Sequence, residues 1–289
     1  MNTLLLFGGT GQVGGALQTL APNDWMIDSP TSREVNLSSA TQIAQYIQTR
    51  RPSVIVNAAA YTKVDDAETE SDVAYAINAA APQIMAEQAK KLGAHFVHVS
   101  TDYVFDGSGT LPYRTDAATH PLNVYGASKL AGELAVINAN PDAAIIRTAW
   151  VHSGGGVNFI ATAVRLLSGG KSMRVVDDQV GTPTRAQHLA RALLLLVGRP
   201  DISGLLHFTD VGVATWYDVA CCVAETLRDA GRLPDGVHVT PVDSSAYPRP
   251  AKRPQVSILD THSTREKIGW TPPHWREGVI ASTKELLDA

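Results

Sequence analysis

The most constraining stretch of the chain is its beginning, where Leu4-Leu5-Leu6-Phe7 runs directly into Gly8-Gly9-Thr10-Gly11-Gln12-Val13-Gly14. An apolar run followed by glycines at 8, 11 and 14 describes a buried strand that turns sharply into a helix. Glycines at this spacing let the backbone approach a pyrophosphate, and the helix N-terminus offers unpaired N–H groups and a partial positive charge. A bare strand–helix turn also uses glycine, so the pattern of the next hundred or so residues decides between the two.

That pattern is an alternation. Apolar runs at Trp25–Asp28, Val54–Asn57, Phe96–Ser100 and Ala144–Arg147 are separated by helical stretches near Gly14–Leu20, Ser39–Arg50, Val73–Leu92 and Val124–Asn138. Strands that are apolar on both faces, with helices between them, require a parallel sheet covered on both sides. The fold class is therefore α/β, with a doubly wound parallel sheet of the Rossmann type. The second half is less regular. It predicts helices near Asn158–Leu167 and Ala186–Val197, a strand at Met173–Val176 and a returning sheet strand at Gly204–Phe208. Thr215-Trp216-Tyr217-Asp218 reads as a capping box. Pro241–Pro254, with four prolines and two arginines, reads by itself as a surface loop.

Composition excludes several classes. The chain has 289 residues, 44% hydrophobic and 18% charged, with a formal net charge of -4 and no basic run that would neutralise a nucleic-acid backbone. No apolar run reaches the length of a membrane span, and Leu4–Phe7 is too short for an export signal, so a cytoplasmic protein is expected. The two cysteines, Cys221 and Cys222, are adjacent within an apolar helical turn and are expected to pack in the core.

Tyr125 and Lys129 lie four residues apart on one predicted helix, which places a phenol and an ammonium on the same face. A nearby cation is expected to bring the phenol towards a working pKa and to hold a ribose of the cofactor. Thr101, at the end of the strand His98-Val99-Ser100-Thr101, points from the sheet towards the same crevice. Asp28, at the end of the second strand, has the position of a carboxylate that holds the adenosine ribose hydroxyls of NAD. Thr31, Ser32 and Arg33 come just after it and suit a ribose phosphate instead, so the residues leave NADH and NADPH both open. No cysteine–histidine or carboxylate cluster has the spacing of a structural zinc site.

Taken together these segments resemble the extended short-chain dehydrogenases/reductases, and among them the dTDP-4-dehydrorhamnose reductases, over nearly the whole chain. The resemblance rests on Gly8–Gly14, Val56–Thr62, Asp65–Glu68, Ser100–Phe105, Pro121–Gly126, Arg147–Trp150, Asp178–Thr184 and Ala246–Pro254. It implies a dinucleotide-binding domain over residues 1–150, with a segment near 178–212 returning to it. Residues 151–289 would be mainly a smaller α/β domain for a sugar nucleotide. It implies Thr101, Tyr125 and Lys129 as the catalytic set. Cofactor contacts would come from Gly8, Gly11, Gln12, Val13, Gly14, Asp28, Asn36, Leu37, Ala58, Ala59 and Ala60, together with Tyr125 and Lys129. Thr101, Asp102 and Trp150 would contact the substrate, and Arg249 or Arg253 would pair its diphosphate. The activity implied is NADPH- or NADH-dependent reduction of the 4-keto group of a dTDP-linked 6-deoxyhexulose. A homodimer is allowed but not required.

Three departures qualify the pattern. Asp102 is followed by Tyr103, where sugar-nucleotide dehydratases of this fold carry a glutamate, so their elimination base is missing. Asn36 stands where relatives commonly have an aspartate near the adenine. Gln187 stands where some relatives have a magnesium-binding glutamate, so no metal is expected. Another dTDP-deoxysugar as substrate stays open. So does a non-catalytic regulatory role like that of a methionine adenosyltransferase partner, against which the intact Thr101/Tyr125/Lys129 set argues.

Overall fold

In the computed structural model, which describes residues 2–288, the apolar runs pair into one parallel sheet. Its strands are β1 (Asn2–Phe7), β2 (Trp25–Asp28), β3 (Val54–Asn57), β4 (His95–Thr101), β5 (Ala144–Thr148) and β6 (Gly204–His207). They lie in the order β6-β5-β4-β3-β1-β2, with every pairing parallel. Strand order reverses between β1 and β3, and the crevice beyond their C-terminal ends is where such sheets bind ligands.

Helices cover both faces. The longer helices are α1 (Gln12–Leu20), α2 (Ala40–Arg50), α3 (Ala81–Leu92), α4 (Val124–Ala139), α5 (Phe159–Ser168), α6 (Ala186–Val197), α7 (Trp216–Asp229) and α8 (Trp275–Asp288), of which α1 and α6 cover one face of the sheet and α2, α3 and α4 the other. On one face Leu4, Leu6, Val54, Val56 and Ile146 pack against Leu17 of α1 and Leu189, Leu193 and Leu196 of α6. The residues between them, Leu5, Phe7, Ile55 and Ile145, pack against Ile43 and Ile47 of α2, Met85 and Ala89 of α3 and Val136 of α4. Because successive side chains point to opposite faces, a strand buried on both must be apolar without interruption. A third cluster, from α5, α7 and α8, includes Ile160, Leu167, Val219, Cys222, Leu227 and Val279.

Two expectations are corrected here. The proline-rich stretch is not all loop. Val239–Val242 forms a strand paired in parallel with Met173–Val176, since Pro241 sits in a two-stranded ribbon where one missing N–H is tolerated. Of the adjacent cysteines only Cys222 is buried, because the helix turns Cys221 by about 100° away from the core.

The predicted helix over 73–92 contains a π-turn at Ala76–Ala80 between Ser71–Tyr75 and α3. At this turn the buried Asn78 side chain accepts from the Tyr61 N–H at 2.8 Å and donates to the Ser128 hydroxyl of α4 at 3.0 Å. A Cβ at Gly132 would lie 2.0 Å from the Asn78 carbonyl oxygen, so α4 approaches this turn as closely as backbone allows. One more contact holds α4. Glu133 and Arg147 of β5, 1% and 2% exposed, pair at 2.6 and 2.9 Å, and Ser100 of β4 donates to the same carboxylate at 2.5 Å. Glu133→Ala leaves a buried guanidinium uncompensated and is expected to lower stability by about 3–5 kcal/mol. Urea unfolding measures this, and an unchanged midpoint would contradict the pair's role.

Candidate active site

A cavity of about 710 Å³ opens at the C-terminal ends of β1, β3 and β4. Its cofactor end is made by backbone. Gly8 has φ of +91°, and a Cβ there would lie 2.6 Å from the Ala59 amide nitrogen. A Cβ at Gly14 would lie 2.2 Å from the Gly8 oxygen, which holds α1 tight against the turn. Gly11 begins α1 without any side-chain cap, so the first-turn N–H groups at Gln12 and Val13 stand free at the cavity wall. A clash-limited cradle ending in an uncapped helix N-terminus fits a pyrophosphate. Ala58, Ala59, Ala60, Val35 and Leu37 continue the wall as an apolar stretch.

Two residues expected at this end are elsewhere. Asp28 is not in the cavity wall: its Oδ1 accepts from the Tyr46 hydroxyl at 2.8 Å and its Oδ2 pairs with Arg50 Nε at 3.0 Å. Asn36 is likewise outside, because its side-chain oxygen accepts from the Ser38 N–H at 2.9 Å in the turn before α2. Both were read from sequence position, which does not show which nearby donor a short polar side chain turns to.

The reaction end is built on β4 and α4. Ser100, Thr101 and Asp102 leave the sheet edge, and Asn123 caps α4 by accepting from the Gly126 N–H at 2.8 Å. The cap sets the start of the helix, and Tyr125 and Lys129 share the cavity wall with Thr101. Lys129 is 2% exposed, and its Nζ donates to the Val99 carbonyl at 2.7 Å. Thr101 donates to Asp102 Oδ1 at 3.1 Å, leaving the buried Asp102 Oδ2 without a partner among the described residues. An orphaned carboxylate oxygen in a cavity wall is a ready acceptor for a ligand hydroxyl.

Electrostatics here follow burial. It pushes the Tyr125 hydroxyl up to about 12, the Thr101 hydroxyl opposing, and brings the Lys129 ammonium down to about 8, the Glu133 carboxylate opposing. Burial also raises Asp102 to about 6, against hydrogen bonds from Ser257 and Thr101. The expectation that Lys129 draws the phenol downward is therefore not met in the free protein. Desolvation disfavours the charged form of each group and is the largest influence on both. Tyr125 is a fully protonated donor at neutral pH.

Trp150 lines the cavity with φ of +48°, stacked on Trp216 with ring centroids 3.8 Å apart and planes 9° from parallel. A Cβ at Gly181 would lie 2.7 Å from the Trp150 ring. Trp216, Phe159 and Tyr103 also line the cavity and were missed in the sequence. The Thr215–Asp218 capping box, present as expected, fixes Trp216 at a helix start but does not reveal what its ring meets. The two arginines of the proline-rich loop are not in the cavity wall. Arg253 makes a two-pronged contact with Asp65 at 3.1 and 3.0 Å, because the Asp65–Glu68 segment brings a carboxylate to it within the fold. Arg249 is exposed and has no partner among the described residues. Gln187 has a buried Oε1 unpartnered among the described residues, and among these no three His, Cys, Asp or Glu side chains gather to hold a metal.

Comparison with known proteins agrees with this geometry. The family described as RmlD substrate binding domain matches residues 1–287. The dTDP-4-dehydrorhamnose reductase of Escherichia coli K12 is 41% identical over 98% of each chain. The chain belongs to the dTDP-4-dehydrorhamnose reductase family. Among solved members, the Clostridium acetobutylicum structure matches with a TM-score of 0.90 at 34% identity, over 99% of this chain and 100% of that one. The Bacillus anthracis structure, described as in complex with NADP, has a TM-score of 0.90 at 32% identity and covers 100% of both chains. UDP-glucose 4-epimerase from Thermotoga maritima shares the fold, with a TM-score of 0.81 at 18% identity.

The two shifted groups define a pH window. Asp102 is ionised only above about 6, and Lys129 keeps its charge only below about 8. The profile of kcat/KM, which reports the free enzyme, is expected to rise through the first value and fall through the second. Asp102→Asn should flatten the acid limb alone, and an acid limb that survives this change would take Asp102 out of substrate binding.

Proposed function

We propose that this member of the family reduces the 4-keto group of dTDP-4-dehydro-L-rhamnose to dTDP-L-rhamnose with NADPH or NADH, as a cytoplasmic enzyme supplying a cell-surface polysaccharide. The observation that carries this reading is one cavity that joins the glycine cradle to the Thr101, Tyr125 and Lys129 side chains. The dihydronicotinamide, when bound, supplies the hydride that adds to C4 of the sugar. The chain's own residues do the rest. Tyr125 gives its hydroxyl proton to the oxygen that becomes O4, and the Thr101 hydroxyl orients that oxygen. The buried Lys129 ammonium offers its remaining N–H groups to a ribose and to the phenolate left on Tyr125. Asp102 Oδ2 accepts from a sugar hydroxyl, and the Trp150 face packs against the sugar nucleotide.

Elimination is disfavoured by the residue after Asp102. Tyr103 stands there, and burial together with the Asp102 charge holds its phenol well above the usual range, so it has no capacity as a base near neutrality. Retained Thr101, Tyr125 and Lys129 argue against a purely regulatory role.

Tyr125→Phe is expected to abolish turnover, a loss of at least about 100-fold, while cofactor affinity stays nearly unchanged. Wild-type turnover in this variant would remove the proton-donor role. For the substrate, the test compares the dTDP-linked 4-keto sugar with the same sugar lacking its nucleotide. The hexulose is uncharged, so the diphosphate must supply much of the binding energy that holds C4 in place. The free sugar is expected to lose most of kcat/KM. Equal kcat/KM for the two sugars would leave only a general carbonyl reductase.

A further inference from the structure

Besides its backbone N–H, Gln12 brings a half-buried side chain to the cavity wall, and that amide ties together two distant parts of the chain. Its Oε1 accepts from the Ser153 hydroxyl at 2.8 Å and from Asn158 Nδ2 at 2.9 Å, partners 141 and 146 residues away. Among the described residues these are the contacts of the amide, so both Nε2 hydrogens are left unpaired. Ser153 and Asn158 bound a short strap, Gly154-Gly155-Gly156-Val157, that passes between α8 and α1. A Cβ at Gly154 would lie 2.2 Å from Glu285 Oε2 of α8, and one at Gly156, where φ is +71°, would lie 4.0 Å from Gln12 Cγ. Val157 is 98% exposed at the cavity wall. Three glycines leave the strap no side chains to pack, so hydrogen bonds place it.

The strap in turn leads to the sugar end of the cavity. Asn158 Nδ2 also donates to the Ser153 and Gly155 carbonyls at 3.0 and 3.1 Å, while its Oδ1 caps α5 by accepting from the Ala161 N–H at 2.9 Å. Phe159, the first residue of α5, lines the cavity with its ring centroid 4.9 Å from that of Trp216, which is stacked on Trp150. A continuous series of contacts therefore runs from the helix that begins at the glycine cradle to the ring that faces the sugar nucleotide. The Gln12 amide is planar, so a ligand phosphate that accepts from Nε2 fixes where Oε1 points. That oxygen is the acceptor on which Ser153 and Asn158 converge, and donation at one end of an amide strengthens acceptance at the other.

We propose that Ser153 and Asn158 are positioning residues which, through the Gln12 amide, couple the two ends of the cavity. A dinucleotide in the glycine cradle orders the amide, the amide holds the strap, and the strap sets Phe159, Trp216 and Trp150 for the nucleotide-linked sugar. By linkage each ligand then tightens the other by the same factor. The inference rests on reading the cavity as the joint site of a dinucleotide and a sugar nucleotide, and binding measurements separate the two claims.

The experiment is calorimetric titration of the full chain with NADPH and with dTDP-L-rhamnose, each alone and each with the other at saturation. Both are reduced forms, so no hydride passes and the heats report binding alone. In the wild-type protein each ligand is expected to tighten the other by about fivefold or more. In Ser153→Ala/Asn158→Ser, the new serine keeps the cap of α5 while both donors to Gln12 are lost. This variant should bind each single ligand within about twofold of wild type, with the coupling abolished. In turnover at saturating NADPH it should raise KM for the dTDP-linked 4-keto sugar about fivefold and leave kcat within about twofold. Independent binding in the wild-type protein would overturn the coupling, and a variant with the wild-type factor would overturn the route through Gln12. A variant that weakens both single ligands at an unchanged factor would show a structural role only and would also overturn the proposal. Failure of either ligand to bind under all of these conditions would instead overturn the reading of the cavity itself.

Discussion

Glu133 and Arg147 form a buried ion pair that joins three elements at the back of the reaction site. Arg147 belongs to β5 and Glu133 to α4, and Ser100 of β4 donates to the same carboxylate. Arg147 also lies over the Phe105 ring and contacts His207 of β6. Such a pair gains little over an apolar core of the same shape, since both charges must leave water. Its effect is to define position. Thr101 follows Ser100 directly, Thr148 follows Arg147, and Lys129 and Tyr125 lie one and two turns before Glu133 on α4. A slip of α4 along the sheet would break a charge contact buried away from water, so the relative placement of the phenol, the ammonium and the hydroxyl is discrete.

With these groups held in place, desolvation becomes the largest influence on their chemistry. The phenol is kept protonated and the ammonium is brought down to about 8, both in the direction burial dictates. This suits a reductase. A group that must deliver a proton to a developing alkoxide is better kept as the acid, and the cation beside it gains importance as the phenolate forms. Burial pushes Asp102 up to about 6 against opposing hydrogen bonds, and its carboxylate remains ionised near neutrality.

At both ends of the cavity, the shape of the wall depends in part on residues outside it, Gly181 at one end and Tyr46 and Arg50 at the other. Gly181 leaves room for the Trp150 ring, and Trp216 stacks on that ring to support a left-handed backbone that a tryptophan rarely adopts. Arg253 braces the proline-rich loop against Asp65, while Arg249 on the same loop is exposed. At the far end the Tyr46–Arg50 face of α2 determines where the Asp28 carboxylate points.

The amino-acid sequence alone determined the sheet, its covering helices and the glycine cradle, because these depend on local periodicity and on backbone freedom at Gly8 and Gly14. It also placed Tyr125, Lys129 and Thr101 at one crevice, since helical spacing and strand direction are short-range properties. The strand at Val239–Val242, the π-turn at Ala76–Ala80 and the stack of Trp150 on Trp216 were not legible, because each is stabilised by a partner distant in the chain. The same reason explains Asp28 and Arg253. Sequence position brought each to the neighbourhood expected of it, but only the tertiary structure decided that Arg50 and Asp65 would reach them first, and a charge turns to the nearest opposite charge that folding supplies.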